Sequence, residues 1–168
     1  MLLTLSVATF AAETTIGLNR CIVFNDTTDS YAPSKIGLSF ILPDTLMGKE
    51  IIYAELKGKL SVHNNGLDSL FELRFYPFNA EWREGVYGYQ NIDVITDSMT
   101  AGVYTIRLGD SSAFNVDVTS FVREIALRER SNFGLIGTAD LLGDSNIRLP
   151  DALGERLRDI IKLRVIYK

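Results

Sequence analysis

The chain has 168 residues, 46% of them hydrophobic and 23% charged, with a net charge of -4. That suffices for one domain with a substantial core, is too apolar for wholesale disorder, and leaves no electrostatic footprint for nucleic acid. The single cysteine, Cys21, excludes an internal disulfide and a Cys-rich zinc site, and the single histidine, His63, would have to carry any Ser-His-Asp or Cys-His chemistry alone.

Residues 1–12 are apolar and end in small side chains, as the back half of a signal peptide does, but the first cation is Arg20. Leu3, Leu5 and Val7 alternate with Thr4, Ser6 and Ala8, so the segment is expected to be a first strand. No apolar run is long enough to span a bilayer. Residues 12–16 and 20–24 read as two short strands, and residues 25–30 as a polar loop rich in turn formers. Residues 35–42 are nearly all apolar, as expected of a strand inside a sandwich, and Pro43 ends them.

Residues 51–62 form the longest predicted strand. Leu56, Gly58, Leu60 and Val62 alternate with Lys57, Lys59 and Ser61, so one face should meet the core and the other water. His63 reads as the polar end of that strand, and Asn64, Asn65 and Gly66 mark a turn beyond which residues 70–76 read as the returning strand. An antiparallel hairpin over residues 51–78 is the expectation. Residues 79–102 read as irregular, and residues 103–108 and 113–118 as two more strands. A helix should follow from about Ser120 to Arg130, capped by Thr119 or Ser120, with Phe121, Val122 and Ile125 on its apolar face. Leu135 and Ile136 start another strand, and residues 160–167 alternate as the closing one. About ten strands and no βαβ rhythm indicate a single all-β domain, a jelly-roll-like antiparallel β-sandwich with one short α-helix.

So ordered, the chain resembles the DNRLRE-type β-sandwich domains, jelly-roll modules of bacterial and archaeal surface proteins that include alginate-binding carbohydrate modules. The likeness lies in short pieces spread over nearly the whole chain. Residues 38–43 resemble the family's apolar strand before a proline turn, and residues 51–62 the strand after it. Trp82 and Glu84 resemble its Trp-Ser-Glu segment. Asp117, Val118 and Thr119 resemble its aspartate–valine–threonine stretch before the helix, and residues 132–136 and 163–167 its last two strands. Ser39 and Ile41 stand where the family often carries Arg and Asp, and its usual second tryptophan is missing. The resemblance implies a non-catalytic jelly-roll module of a surface assembly, with a polysaccharide as one candidate ligand.

Four sets of residues are candidates for function. Between Phe75 and Tyr89 lie Tyr76, Phe78, Trp82 and Tyr87, with Asn79, Glu81, Arg83, Glu84 and Gln90 among or beside them. Flat rings edged by polar groups suit a sugar, so Trp82, Glu84, Tyr87 and Tyr89 are the expected ligand-binding residues. The alternative is that Phe75, Phe78 and Trp82 anchor a long loop on the core. Asp26 and Asp29 are the expected residues if a calcium ion is held, with Asp140, Asp144 and Asp151 a looser set. Glu81 and Glu84 could form a glycosidase pair only if the fold set them across a cleft. Finally, the uncharged residues 1–10 would make an edge strand open to pairing with another chain. The leading expectation is therefore a structural or interaction subunit that self-associates or decorates a virion or cell surface, without catalysis or an obligatory cofactor. The alternative is a carbohydrate-binding module that uses the aromatic loop.

Overall fold

The computed structural model of the protein describes residues 10–29, 32–60, 69–83, 85–108, 112–141 and 153–168. The strands in chain order are β1 (Ala12–Gly17), β2 (Arg20–Phe24), β3 (Lys35–Ser39), β4 (Ile51–Leu60) and β5 (Ser69–Pro77). They continue with β6 (Gly102–Leu108), β7 (Ser112–Asp117), β8 (Leu135–Leu141) and β9 (Lys162–Tyr167). Helix α1 (Thr119–Ala126) follows β7, and helix α2 (Leu153–Ile160) precedes β9. Every pairing is antiparallel, in two sheets ordered β1-β9-β4-β7 and β2-β3-β8-β5-β6. With β2 set aside as an added edge, consecutive strands interleave between the sheets in the order of a jelly roll. The predicted first strand over residues 1–12 lies outside the described residues up to residue 9; Phe10 is 88% exposed, and Ala12 opens β1.

The interleaving corrects the expected hairpin over residues 51–78, because β4 and β5 belong to opposite sheets. Their side chains account for the separation. Leu56 of β4 is buried while Lys57 is only half-buried, so this strand has one core face and one wet face. On β5, Leu73 and Phe75 join the main core while Tyr76 packs on the opposite side of the sheet, so the strand needs cover on both faces.

The main core fills the space between the sheets with Leu38, Leu56, Phe75, Phe114, Val116, Leu135, Leu163 and Val165. Strand β3 stops at Ser39 rather than at Leu42 because its neighbour begins only at Leu135, which pairs with Leu38. Gly134, at φ +94°, makes that crossing, and any Cβ there would overlap the Leu38 carbonyl oxygen.

Helix α1 ends four residues earlier than expected, where Arg128 adopts φ 62° and its N–H bonds to Ile125 O at 2.9 Å. Neither Thr119 nor Ser120 caps it. Instead Asp117 Oδ1 accepts the Thr119 N–H at 2.8 Å, and Thr119 Oγ1 accepts the Ala54 N–H at 2.9 Å, which pins the helix to β4. Phe121, Val122 and Ile125 enter the main core as the sequence indicated, and Ala126 joins them.

Helix α2 is a second helix that the one-helix expectation lacked. Its Leu157 and the following Ile161 are buried in the main core, and Gly154 sits so close to the Cys21 carbonyl that a Cβ would lie 2.9 Å away. No helix among the described residues is long and apolar enough to cross a membrane.

A polar ladder crosses the outer face of the first sheet. Arg164 on β9 donates to both oxygens of Glu13 on β1, at 2.9 and 2.8 Å, and to Glu55 Oε1 on β4 at 3.2 Å. Tyr53 and Asn115 donate to Glu55 Oε2 at 3.0 and 3.2 Å. Burial pushes the 7%-exposed Glu55 carboxyl up, but hydrogen bonds from Asn115, Arg164 and Tyr53 outweigh it, and the net direction is down.

Candidate functional site

The outer face of the second sheet carries a second core. Phe24 from β2 and Ile136 from β8 are covered there by Phe78, Trp82, Ile92 and Ile95 of the long segment between β5 and β6. Such two-sided burial explains why residues 22–24 and 135–136 are apolar without alternation. The segment starts at an isolated bridge between Phe78 and Thr96, reinforced by the Asn79 N–H on Ile95 O at 2.7 Å.

Trp82 is its anchor. The indole is 3% exposed, packs edge-on to Phe24 at 6.0 Å and tilted to Phe78 at 5.8 Å, and lies 4.2 Å below the Arg20 guanidinium. The expectation that Trp82 binds ligand is therefore corrected: its faces are already covered, and it holds the loop down. Gly37 makes room for this, since a Cβ there would come within 2.9 Å of Phe24 and 3.5 Å of Trp82. Tyr87 is half-buried against the same cluster. Glu84 lies outside the described residues. Glu81 is exposed and paired with Arg83 at 3.1 Å.

The loop after β2 meets this segment through Asp26, which is 7% exposed. Its Oδ1 accepts from Thr28 N–H at 2.7 Å, Thr28 Oγ1 at 2.7 Å and Asp29 N–H at 3.1 Å, the bonding of an Asx turn. Its Oδ2 accepts from Gln90 Nε2 at 2.8 Å. Thr28's hydroxyl and amide bonds, with those of Asp29 and Gln90, outweigh desolvation and hold the carboxyl below its usual range. Both oxygens thus face donors, the reverse of what a cation needs. No group of three or more His, Cys, Asp or Glu side chains gathers as a metal site among the described residues. The side chain of Asp140 is not described, and Asp144, Asp151 and His63 lie outside the described residues.

Across the bridge, Asn91 fixes the turn that carries Tyr89. Its Oδ1 accepts the Gly88 N–H at 2.7 Å, and its Nδ2 donates to Val86 O at 3.3 Å. Tyr89 is half-buried, with the Lys35 ammonium 4.5 Å from its ring centroid and that ammonium bonded to Asp93 at 2.7 Å. Burial, then the charges of Asp26, Asp93 and Asp29, push the phenol up, so it stays a neutral donor at physiological pH.

Between the two loops opens a cleft of about 620 Å³, lined by Asn25, Thr27, Gly88, Tyr89, Gln90 and Asn91, with Val23 and Phe24 as its apolar part. A phenol, three carboxamides and a hydroxyl beside apolar surface can bind a neutral, hydroxyl-rich molecule, and the volume is that of a small-ligand site. The structure thus brings Asp26, Tyr89 and Gln90 together, leaves Trp82 and Tyr87 on the second core, and adds Asn25, Lys35, Asn91 and Asp93. Asn25 and Asn91 stand in turn-rich stretches, which marked their loops; nothing local marked the pairing of those loops. Cys21 takes no part, its buried thiol being pushed up to about 12. Comparison with known proteins yields no matching family model and no matching curated protein.

Proposed function

We propose that the chain is a non-catalytic interaction module that binds carbohydrate in the cleft between the β2–β3 loop and the Tyr89 turn. The observation that carries this reading is the Asp26–Gln90 hydrogen bond at 2.8 Å, which locks two loops 64 residues apart into one open, amide-lined cleft beside Tyr89. Sugar C–H faces pack on a ring while hydroxyls exchange hydrogen bonds with carboxamides. The resemblance to DNRLRE-type modules supports an interaction module through the shared sandwich class, while Trp82 of its motif does not line this cleft. A glycosidase gains nothing from the arrangement, because the exposed Glu81 is tied to Arg83 and Trp82 does not border an open cleft.

Affinity gel electrophoresis against a panel of soluble polysaccharides tests this. A Cβ at Gly88 meets nothing within 4 Å, so Gly88→Leu should fill the cleft without straining the fold. The expected result is retardation by at least one polysaccharide that disappears in Gly88→Leu and falls in Tyr89→Ala, with far-UV circular dichroism unchanged. Retardation that survives Gly88→Leu, or none by any polysaccharide, contradicts the reading.

A second reading, assembly of a virion or cell-surface structure, is favoured by a different observation. Among the described residues strand β1 is an edge of its sheet, and Phe10 just before it is 88% exposed. Light scattering of the chain with and without residues 1–10 tests it: a large particle lost on truncation supports assembly, and a monomer in both, of 18.7 kDa for the full chain, argues against it.

A further inference from the structure

Resting on the carbohydrate reading, we infer that the cleft selects uncharged polysaccharide and rejects polymers of uronic acids. The charge around Tyr89 is predominantly negative. Asp26, Asp29 and Asp93 all act on its phenol, and Lys35, over the ring and with Nζ at 2.9 and 2.7 Å from the two Asp93 oxygens, offsets only one of these three charges. Asp26 is fixed as an anion by the donors of Thr28, Asp29 and Gln90. The groups that line the cleft are neutral: Asn25, Thr27, Tyr89, Gln90 and Asn91. A hydroxyl can exchange hydrogen bonds with every one of them. A uronate brought to the same place meets carboxylates without a guanidinium or ammonium from the lining to pair with, and like charges brought close repel. Gln90 sharpens this, because its Nε2 is spent on Asp26 and Thr28, at 2.8 and 3.4 Å. The carbonyl left over accepts from hydroxyls and repels carboxylates.

The test uses the whole chain with two classes of probe: glucomannan and xylan backbones without uronate, and alginate and polygalacturonate. At low ionic strength an uncharged polymer should bind at least about tenfold more tightly than either uronate polymer. That gap should narrow in about 0.5 M salt as the repulsion is screened. Asp29→Asn removes one charge from outside the lining and should strengthen uronate binding severalfold, by a larger factor than it changes binding of the uncharged polymer. Equal or preferred uronate binding that Gly88→Leu still blocks overturns the selectivity and leaves the carbohydrate reading standing. Selectivity unmoved by both salt and Asp29→Asn overturns its electrostatic cause. Binding of neither class removes the carbohydrate reading, and this inference with it.

Discussion

Replacing Trp82 with Ala should detach the segment over the second sheet while the sandwich stays folded. The indole is 3% exposed and sits among Phe24, Phe78 and Arg20, so its truncation should cost about 3–5 kcal/mol. Its ring contacts and the guanidinium contact are already within that figure. The outer core that loses it consists otherwise of Phe24, Phe78, Ile92, Ile95 and Ile136. The main core lies on the other side of the sheet and loses nothing. The loss should therefore appear as local opening rather than global unfolding. Hydrogen exchange read by mass spectrometry should show protection over residues 86–96 falling at least about tenfold, since each 1.4 kcal/mol is a factor of ten. Protection in β4 and β9 should change far less, and Trp82→Phe should fall between. Unchanged protection over residues 86–96 would refute the anchoring role and restore Trp82 as a candidate ligand platform.

Asp26→Asn exchanges an acceptor for a donor where Thr28, Asp29 and Gln90 all donate, so urea denaturation should register a loss of about 1–3 kcal/mol; a loss below about 0.5 kcal/mol would deny the bridge its role. Gly134→Ala combines φ +94° with overlap on the Leu38 carbonyl, and its thermal midpoint should fall by several degrees or folding should fail. Glu55 has a depressed pKa in the folded chain, so it contributes stability above the ordinary glutamate range that is lost as pH falls through the depressed value. Urea titrations at several pH values should find Glu55→Gln less stable than the parent at pH 7, with the gap closing below about pH 4; a constant gap would contradict the assignment. Cys21, with its thiol pushed up to about 12, should react with a thiol reagent at pH 8 only after denaturation.

Much of the architecture was legible in local sequence pattern. Alternation in residues 51–62 and 162–167 marked strands with one wet face, and Phe121, Val122 and Ile125 marked the helix after β7. Helix α2 carried a signal too, in Leu153, Leu157 and Ile161 at four-residue spacing, but it is only 8 residues long and runs straight into β9. The hairpin over residues 51–78 misled because a turn signal fixes where a chain reverses, not which sheet receives the next strand. In a jelly roll that choice depends on pairings across the whole chain, such as Ala12 with Tyr167.

The candidate site divides the same way. Aromatic density pointed to residues 75–89, yet a tryptophan on a ligand face and one beneath a loop read alike in sequence. Burial separates them here, and it depends on Gly37 of β3 leaving room for the indole. Asp26 had a plausible metal reading because aspartates in turns suit both cations and backbone N–H groups. The Gln90 amide that occupies its second oxygen comes from 64 residues away.

The most direct test of the central claim is a map of amide chemical shifts during titration with a soluble uncharged oligosaccharide. The account predicts shifts concentrated at residues 25–29 and 88–91, the two loops that Asp26 and Gln90 join. Shifts confined instead to the Glu13–Arg164–Glu55 face of the other sheet, or no shifts at millimolar ligand, would contradict it.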